Sequence, residues 1–256
     1  MASTAEGMKS LLEDRVVKSK WPARLDLAQS LSGLGLGLFM WTHLILVSSI
    51  LFGKDAMLAI THVMEASFLT PDEAGGYTLI PALTAVGVFG LFIVHACLAM
   101  RKFPSDWKAH KTFRSQMAMM NHSDTNGWYT QVVTGFIMFF LGSVHLYIMA
   151  TQADKIGPQL SADRMWTYGM WPLYLILLFA VEMHGAIGMY RLAIKWGVFD
   201  GKDPRATRKR LKVLKTLVTV FFLSLGLASL AAYVKIGIEN VENNRVGERY
   251  VAGQEG

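Results

Sequence analysis

Thiols are almost absent. Cys97 is the one cysteine among 256 residues, which excludes an internal disulfide and any thiolate-held iron–sulfur cluster within the chain. It lies inside an apolar run and reads as a small packing residue. Charge is scarce as well, at 17% of residues, and it is missing over whole stretches: residues 27–53 hold no Asp, Glu, Lys or Arg. Residues 1–24 are mixed and polar, with neither an apolar core nor a cleavage site, so no removable signal peptide is expected. No soluble domain, low-complexity segment or convincing internal repeat is legible. What fills the chain is apolar: 52% hydrophobic residues and a mean hydropathy of +0.33. That composition belongs to multi-span membrane proteins. The net charge of +6 sits in short loops between apolar runs, so membrane topology accounts for it and no nucleic-acid partner is expected.

The runs predict an all-α integral membrane protein, a bundle of five transmembrane helices with a cytoplasmic N-terminus. Residues 1–23 form an N-terminal segment, 24–238 the membrane domain, and 239–256 a polar tail expected to be loose. The spans are placed at about 27–52, 77–100, 125–150, 166–195 and 204–238, each long enough for the ~20 residues a crossing needs. Asp203-Pro204 reads as an N-cap with proline at the first helical position. Within residues 54–76 the stretch MLAITHVMEASFL is expected to be a short interfacial helix, whereas the connection up to Asn121 reads as a polar loop in which His110 and His122 are solvated. The connections 101–114 and 191–215 hold five and nine Lys/Arg, while 54–76 holds one. By the positive-inside rule the basic loops are cytoplasmic, and five spans then put the C-terminus outside.

Four histidines, His43, His95, His145 and His184, sit deep in four different spans, where hydrocarbon offers no water to satisfy them. Counting from the cytoplasmic helix ends at about 1.5 Å per residue, His43 and His145 lie roughly 25 Å in, and His95 and His184 about 10 Å in. They sort into an outer and an inner pair, about 15 Å apart. Two neutral imidazoles from facing helices suit a haem iron held from both sides, which leaves no open position for oxygen chemistry and makes the haem an electron carrier. Small residues near the ligands, Gly90, Gly142, Gly185 and Gly188, would leave room for the macrocycle, and Gly33 with Gly37 forms a small-residue pair in the first span. Zinc fits less well, because each level offers two nitrogens and no obvious third ligand. A proton relay needs a chain of neighbours rather than two separated pairs.

The stretches LGLFM-x-x-H at 36–43, HACLAMRKFP at 95–104, GFIMFFLGSVHLYIM at 135–149 and MWPLYLILLFAVEMHGAIGMYRLAIKWG at 170–197 closely resemble the dihaem cytochrome b subunits of menaquinol:fumarate reductases, within the succinate:quinone oxidoreductase superfamily. The resemblance runs from about Pro22 to Lys235. It implies an inner haem b on His95 and His184 and an outer haem b on His43 and His145. It assigns Gln29, Ser30, Trp128 and Lys195 to the propionates of the inner haem and Arg164 to the outer one. It further implies a bacterial cytoplasmic (inner) membrane location and menaquinone as the redox partner in the bilayer. A flavoprotein subunit with FAD and an iron–sulfur subunit would dock on the cytoplasmic face and carry the dicarboxylate chemistry, and a dimer of that heterotrimer is among the assemblies it allows.

Two acids remain. Glu65, in the outer loop, would read as a solvated carboxylate on its own, but it matches the position of the family's quinone-site acid, and quinol oxidation needs a base. Glu182 lies at membrane depth, where a charge is costly, and matches a family glutamate proposed to carry protons inward. The readings left open are the same subunit working as succinate:menaquinone reductase, a dihaem anchor for another dehydrogenase such as a hydrogenase or formate dehydrogenase, and a haem-free transporter or proton channel.

Overall fold

The computed structural model describes residues 19–67, 78–104, 106–120 and 122–253; Tyr77, with the start of the expected second span, and most of the N-terminal segment lie outside them. Eight α-helices are described: α1 Trp21–Val47, α2 Lys54–Met64, α3 Leu79–Met100, α4 Trp107–Met120, α5 Ser123–Thr151, α6 Pro158–Met165, α7 Trp171–Trp196 and α8 Pro204–Glu242. A 3-10 turn, Ser48–Phe52, extends α1. Five of these helices (α1 with its extension, α3, α5, α7 and α8) are long and apolar enough to cross a membrane.

The connections force neighbouring spans to run in opposite directions, and α1, α3, α5 and α7 close into a ring, each packed on the next, the up-and-down arrangement of a four-helix bundle. The fifth span, α8, lies outside the ring against α7 and α1. Large apolar side chains such as Leu31, Leu83, Phe140, Ile176 and Leu217 point outward and exposed, as a hydrocarbon solvent requires. With 39 residues α8 runs about 58 Å, well beyond the ~30 Å hydrocarbon core. Its first turns carry the basic cluster, and Asp203 Oδ1 accepts the Arg205 amide at 2.9 Å with Pro204 in the first turn, as the sequence predicts.

Three segments depart from expectation. Residues 107–120 are helical rather than a loop: Trp107, His110 and Phe113 recur at three-residue spacing along one face, on which His110 and Phe113 are half-buried while Trp107 stays exposed. His110 stacks between Trp107 and Phe103 and is not simply solvated. The stretch before the fourth span forms a separate helix, α6, almost wholly buried. Gly237 lets α8 approach it, since a Cβ there would stand 2.6 Å from the Ala162 carbonyl oxygen. The tail, expected to be loose, is folded back onto these outer segments: the Tyr250 hydroxyl donates to Asp55 at 3.0 Å, and the Gly247 amide donates to Asp163 at 2.8 Å.

Candidate functional site: two imidazole pairs and two buried acids

The ring brings the four histidines together in the pairs that their depths suggest. The His43 and His145 ring centres are 6.1 Å apart, and those of His95 and His184 6.4 Å. A metal–imidazole bond of about 2.0 Å, with the ligating nitrogen about 1.1 Å from its ring centre, puts two rings on opposite sides of one ion about 6.2 Å apart. Both pairs meet that spacing. Among the described residues no group of three or more His, Cys, Asp or Glu is placed to hold a metal. Each level therefore suits an ion whose remaining positions are filled by something other than these side chains.

In three of the four rings, those of His95, His145 and His184, Nδ1 is held by a hydrogen-bonding neighbour, the kind of contact that fixes the ring and leaves its other nitrogen free. His184 Nδ1 lies 2.8 Å from the Gln131 carbonyl and donates to it. His95 Nδ1 is 3.0 Å from Ser32 Oγ, whose hydroxyl donates in turn to the Gln29 carbonyl at 3.1 Å. His145 Nδ1 sits 3.0 Å from the Tyr174 hydroxyl. The inner rings lie directly on glycine. A Cβ on Gly33 would be 2.9 Å from His95 Cε1, and one on Gly135 3.1 Å from His184 Cε1. Of the glycines expected to leave room beside the ligands, Gly90 faces open space and Gly142 nearly so, but Gly185 and Gly188 are covered by Met40 and Gln131.

Charged and polar groups cluster at both ends. On the inner side Lys195 and Lys102 both ion-pair with Asp26, Lys195 Nζ donates to Ser30 Oγ at 3.2 Å, and the Gln29 side-chain oxygen is buried without a partner. Trp128 packs edge-on against Phe113 beside Phe103. On the outer side Arg164 is 5% exposed and donates to the Lys155 carbonyl at 3.1 Å. Among the described residues no carboxylate comes within ion-pair distance of it. Burial pushes its guanidinium below the usual arginine range, against the opposing fields of Tyr174, Asp154 and Tyr168, and it stays cationic. A buried cation without an anion fits an acidic ligand arriving there.

Both acids are buried. Glu65, which on its own reads as a solvated loop carboxylate, is 1% exposed, with one oxygen unpartnered. It closes α2 immediately before Ala66, whose φ is +51°. Glu182 is fully buried; Trp41 Nε1 donates to its Oε2 at 3.1 Å, while Oε1 has no partner. Trp41 is itself held flat against Phe222 of α8, ring centres 5.5 Å apart.

Residues 108–225 match the family described as succinate dehydrogenase/fumarate reductase transmembrane subunit. Over 227 residues the chain is 52% identical to the fumarate reductase cytochrome b subunit of Wolinella succinogenes, covering 89% of this chain and 88% of the relative. The proteins of the same name from two Helicobacter pylori strains are each 45% identical over 226 residues, 88% of this chain and 86% of theirs. The chain belongs to the fumarate reductase cytochrome b subunit family. It is accordingly a multi-pass bacterial membrane protein.

In this cytochrome b subunit the two halves of the ring repeat one device that the sequence pattern alone did not reveal. Gln29-x-x-Ser32-Gly33 in α1 and Gln131-x-x-Thr134-Gly135 in α5 seat the inner histidines, and each is followed ten residues after its glycine by an outer histidine, His43 or His145. The inner histidines begin a second repeat, HACLAM from His95 and HGAIGM from His184. The ten residues from seat to ligand put the two levels about 15 Å apart in both helices. Hence α1 and α5 each seat an inner ring and present an outer one.

Proposed function

We propose that this subunit holds two b haems, oxidises menaquinol on its outer side, and delivers the electrons to a partner pair that reduces fumarate to succinate. The observation that carries the reading is the two imidazole pairs, at 6.1 and 6.4 Å, on two levels of one bundle. When bound, the haems supply one-electron carriage between the two sides. His43 and His145 ligate the outer iron, His95 and His184 the inner. Tyr174 and the Ser32 and Gln131 acceptors orient the rings.

Arg164 supplies the buried positive charge that an outer propionate requires, and Lys195, Ser30, Gln29 and Trp128 serve the inner one. Lys195 is pre-positioned by Asp26, which a propionate would join or displace. Glu65, with its free buried oxygen, accepts one of the two protons that menaquinol loses with its two electrons on oxidation. Glu182 moves protons in the membrane interior, where its free Oε1 is the oxygen open to exchange. An iron–sulfur subunit and an FAD-bearing flavoprotein subunit dock at the basic, cytoplasmic connections; the dicarboxylate chemistry is theirs. A dimer of this heterotrimer is compatible with the outward apolar faces.

The same geometry serves succinate:menaquinone reduction, since direction follows from cofactor potentials and partners. The test is a haem count on the purified complex and on His→Ala variants at the four positions. Two b haems per chain are expected, one lost on changing His43 or His145 and the other on changing His95 or His184. One haem or none in the unaltered complex overturns the reading.

A further inference from the structure

The carboxylate of Asp163 lies next to Arg164 in α6, is 1% exposed, and is used by neither imidazole pair. Two donors from the far end of the chain hold it: Asn240 Nδ2 at 2.7 Å from one oxygen and the Gly247 amide at 2.8 Å from the other. Asn240 lies in the last turn of α8 and Gly247 in the tail, so Asp163 is the point where the C-terminus clasps α6. The same tail reaches two further outer segments, through Tyr250 to Asp55 at the start of α2 and through Arg249 to the Asp154 carbonyl.

Arg164 lines a cavity of about 220 Å³ together with Gln152, Lys155, Tyr168 and the two clasp residues themselves, Asp163 and Gly247. Tyr174, whose hydroxyl holds the outer ligand His145, feels its field and packs on the buried cluster that includes Ala162 and Met165 of α6. One short helix thus carries the clasp, the buried cation, and the support of the tyrosine behind an outer ligand. An eight-residue helix is too short to hold its own shape in water, so its placement comes from what grips it.

We propose that Asp163 is a positioning residue and that residues 243–253 are a strap which, through Asp163, holds Arg164 at the outer haem. This rests on the assignment of the outer haem to His43 and His145. The strap fixes where a positive charge stands relative to the outer iron. Loosening it removes that charge from the outer site and leaves the inner site, at the opposite end of the bundle, untouched.

The test uses the complete complex bearing either Asp163→Asn or a stop after Asn244. Asp163→Asn preserves shape but turns one acceptor into a donor, and is the variant less prone to misfold. Redox titration resolves the two haems. Expected are two haems still bound and a lower midpoint potential for the outer haem alone, since a positive charge beside it is lost, with fumarate reduction by an artificial donor unchanged. If both variants keep wild-type potentials, the strap is overturned, and so it is if both haems shift equally. The haem assignment is tested separately by His145→Ala. Loss of one haem there, with unchanged potentials in the strap variants, sinks the strap and leaves the assignment standing.

Discussion

At the residue scale the decisive side chain is one that is missing. An imidazole on a helix–helix interface needs space on the neighbouring backbone, and Gly33 and Gly135 provide it. Gly33→Ala places a methyl 2.9 Å from His95 Cε1, closer than carbon atoms pack, and the ring must rotate off its Ser32 contact. The expected outcome is loss or weakening of the inner haem with the outer one kept, read from the haem count and reduced spectrum. Gly135→Ala, at 3.1 Å, produces a milder version of the same defect. Retention of both haems with unaltered spectra in Gly33→Ala would refute the seat. Glu182 likewise turns on one atom: Gln keeps the Trp41 bond and the volume but cannot release a proton from a carboxyl. Glu182→Gln is expected to cut menaquinol-driven fumarate reduction at least tenfold while both haems remain; wild-type rates would remove the residue from the proton path.

At the scale of elements, the five long helices were legible because an uncharged apolar run of span length has little use in a water-soluble fold. The histidine levels followed from about 1.5 Å of rise per residue. What was not legible joins residues distant in sequence. Ser32 and Gly33 meet His95 across 63 and 62 positions, and Trp41 meets Glu182 across 141; no local pattern marks such contacts. The Gln-x-x-Ser/Thr-Gly-x9-His repeat is spelled out in the letters, but only the geometry shows that its glycine serves one level of histidines and its own histidine the other. The short helices α4 and α6 escape a sequence reading for a different reason: both are polar enough to read as loops, and tertiary packing rather than propensity holds them. The α6–α8 contact makes this testable. Gly237→Ala puts a methyl 2.6 Å from the Ala162 carbonyl oxygen. Backbone cannot yield as a side-chain tip can, so a loss of about 1–3 kcal/mol is expected, seen as a lowered thermal inactivation temperature of the complex. Unchanged thermal inactivation would mean that α6 is held elsewhere.

At the scale of the whole molecule, the tail and the basic connections lie at opposite ends. Asp55, Asp154 and Asp163, which the tail grips, belong to the connections after α1 and α5. The dense Lys/Arg runs at 101–114 and 191–215 follow α3 and α7. An up-and-down ring puts those two sets of connections on different faces, and α8 then carries the chain from the basic face to the tail's face. If the electrostatics of insertion keeps the basic face cytoplasmic, the C-terminus, the strap, Glu65 and Arg164 lie outside, where the proposed quinol oxidation would release its protons. A reporter that is active only outside the cytoplasm should therefore work when fused after Glu242, and fail when fused in the basic connection near Asp203. The reverse pattern would turn the molecule over in the membrane, placing the quinol acid on the same side as fumarate. Activity at both fusion points would instead mean that α8, despite its 39 residues, does not cross.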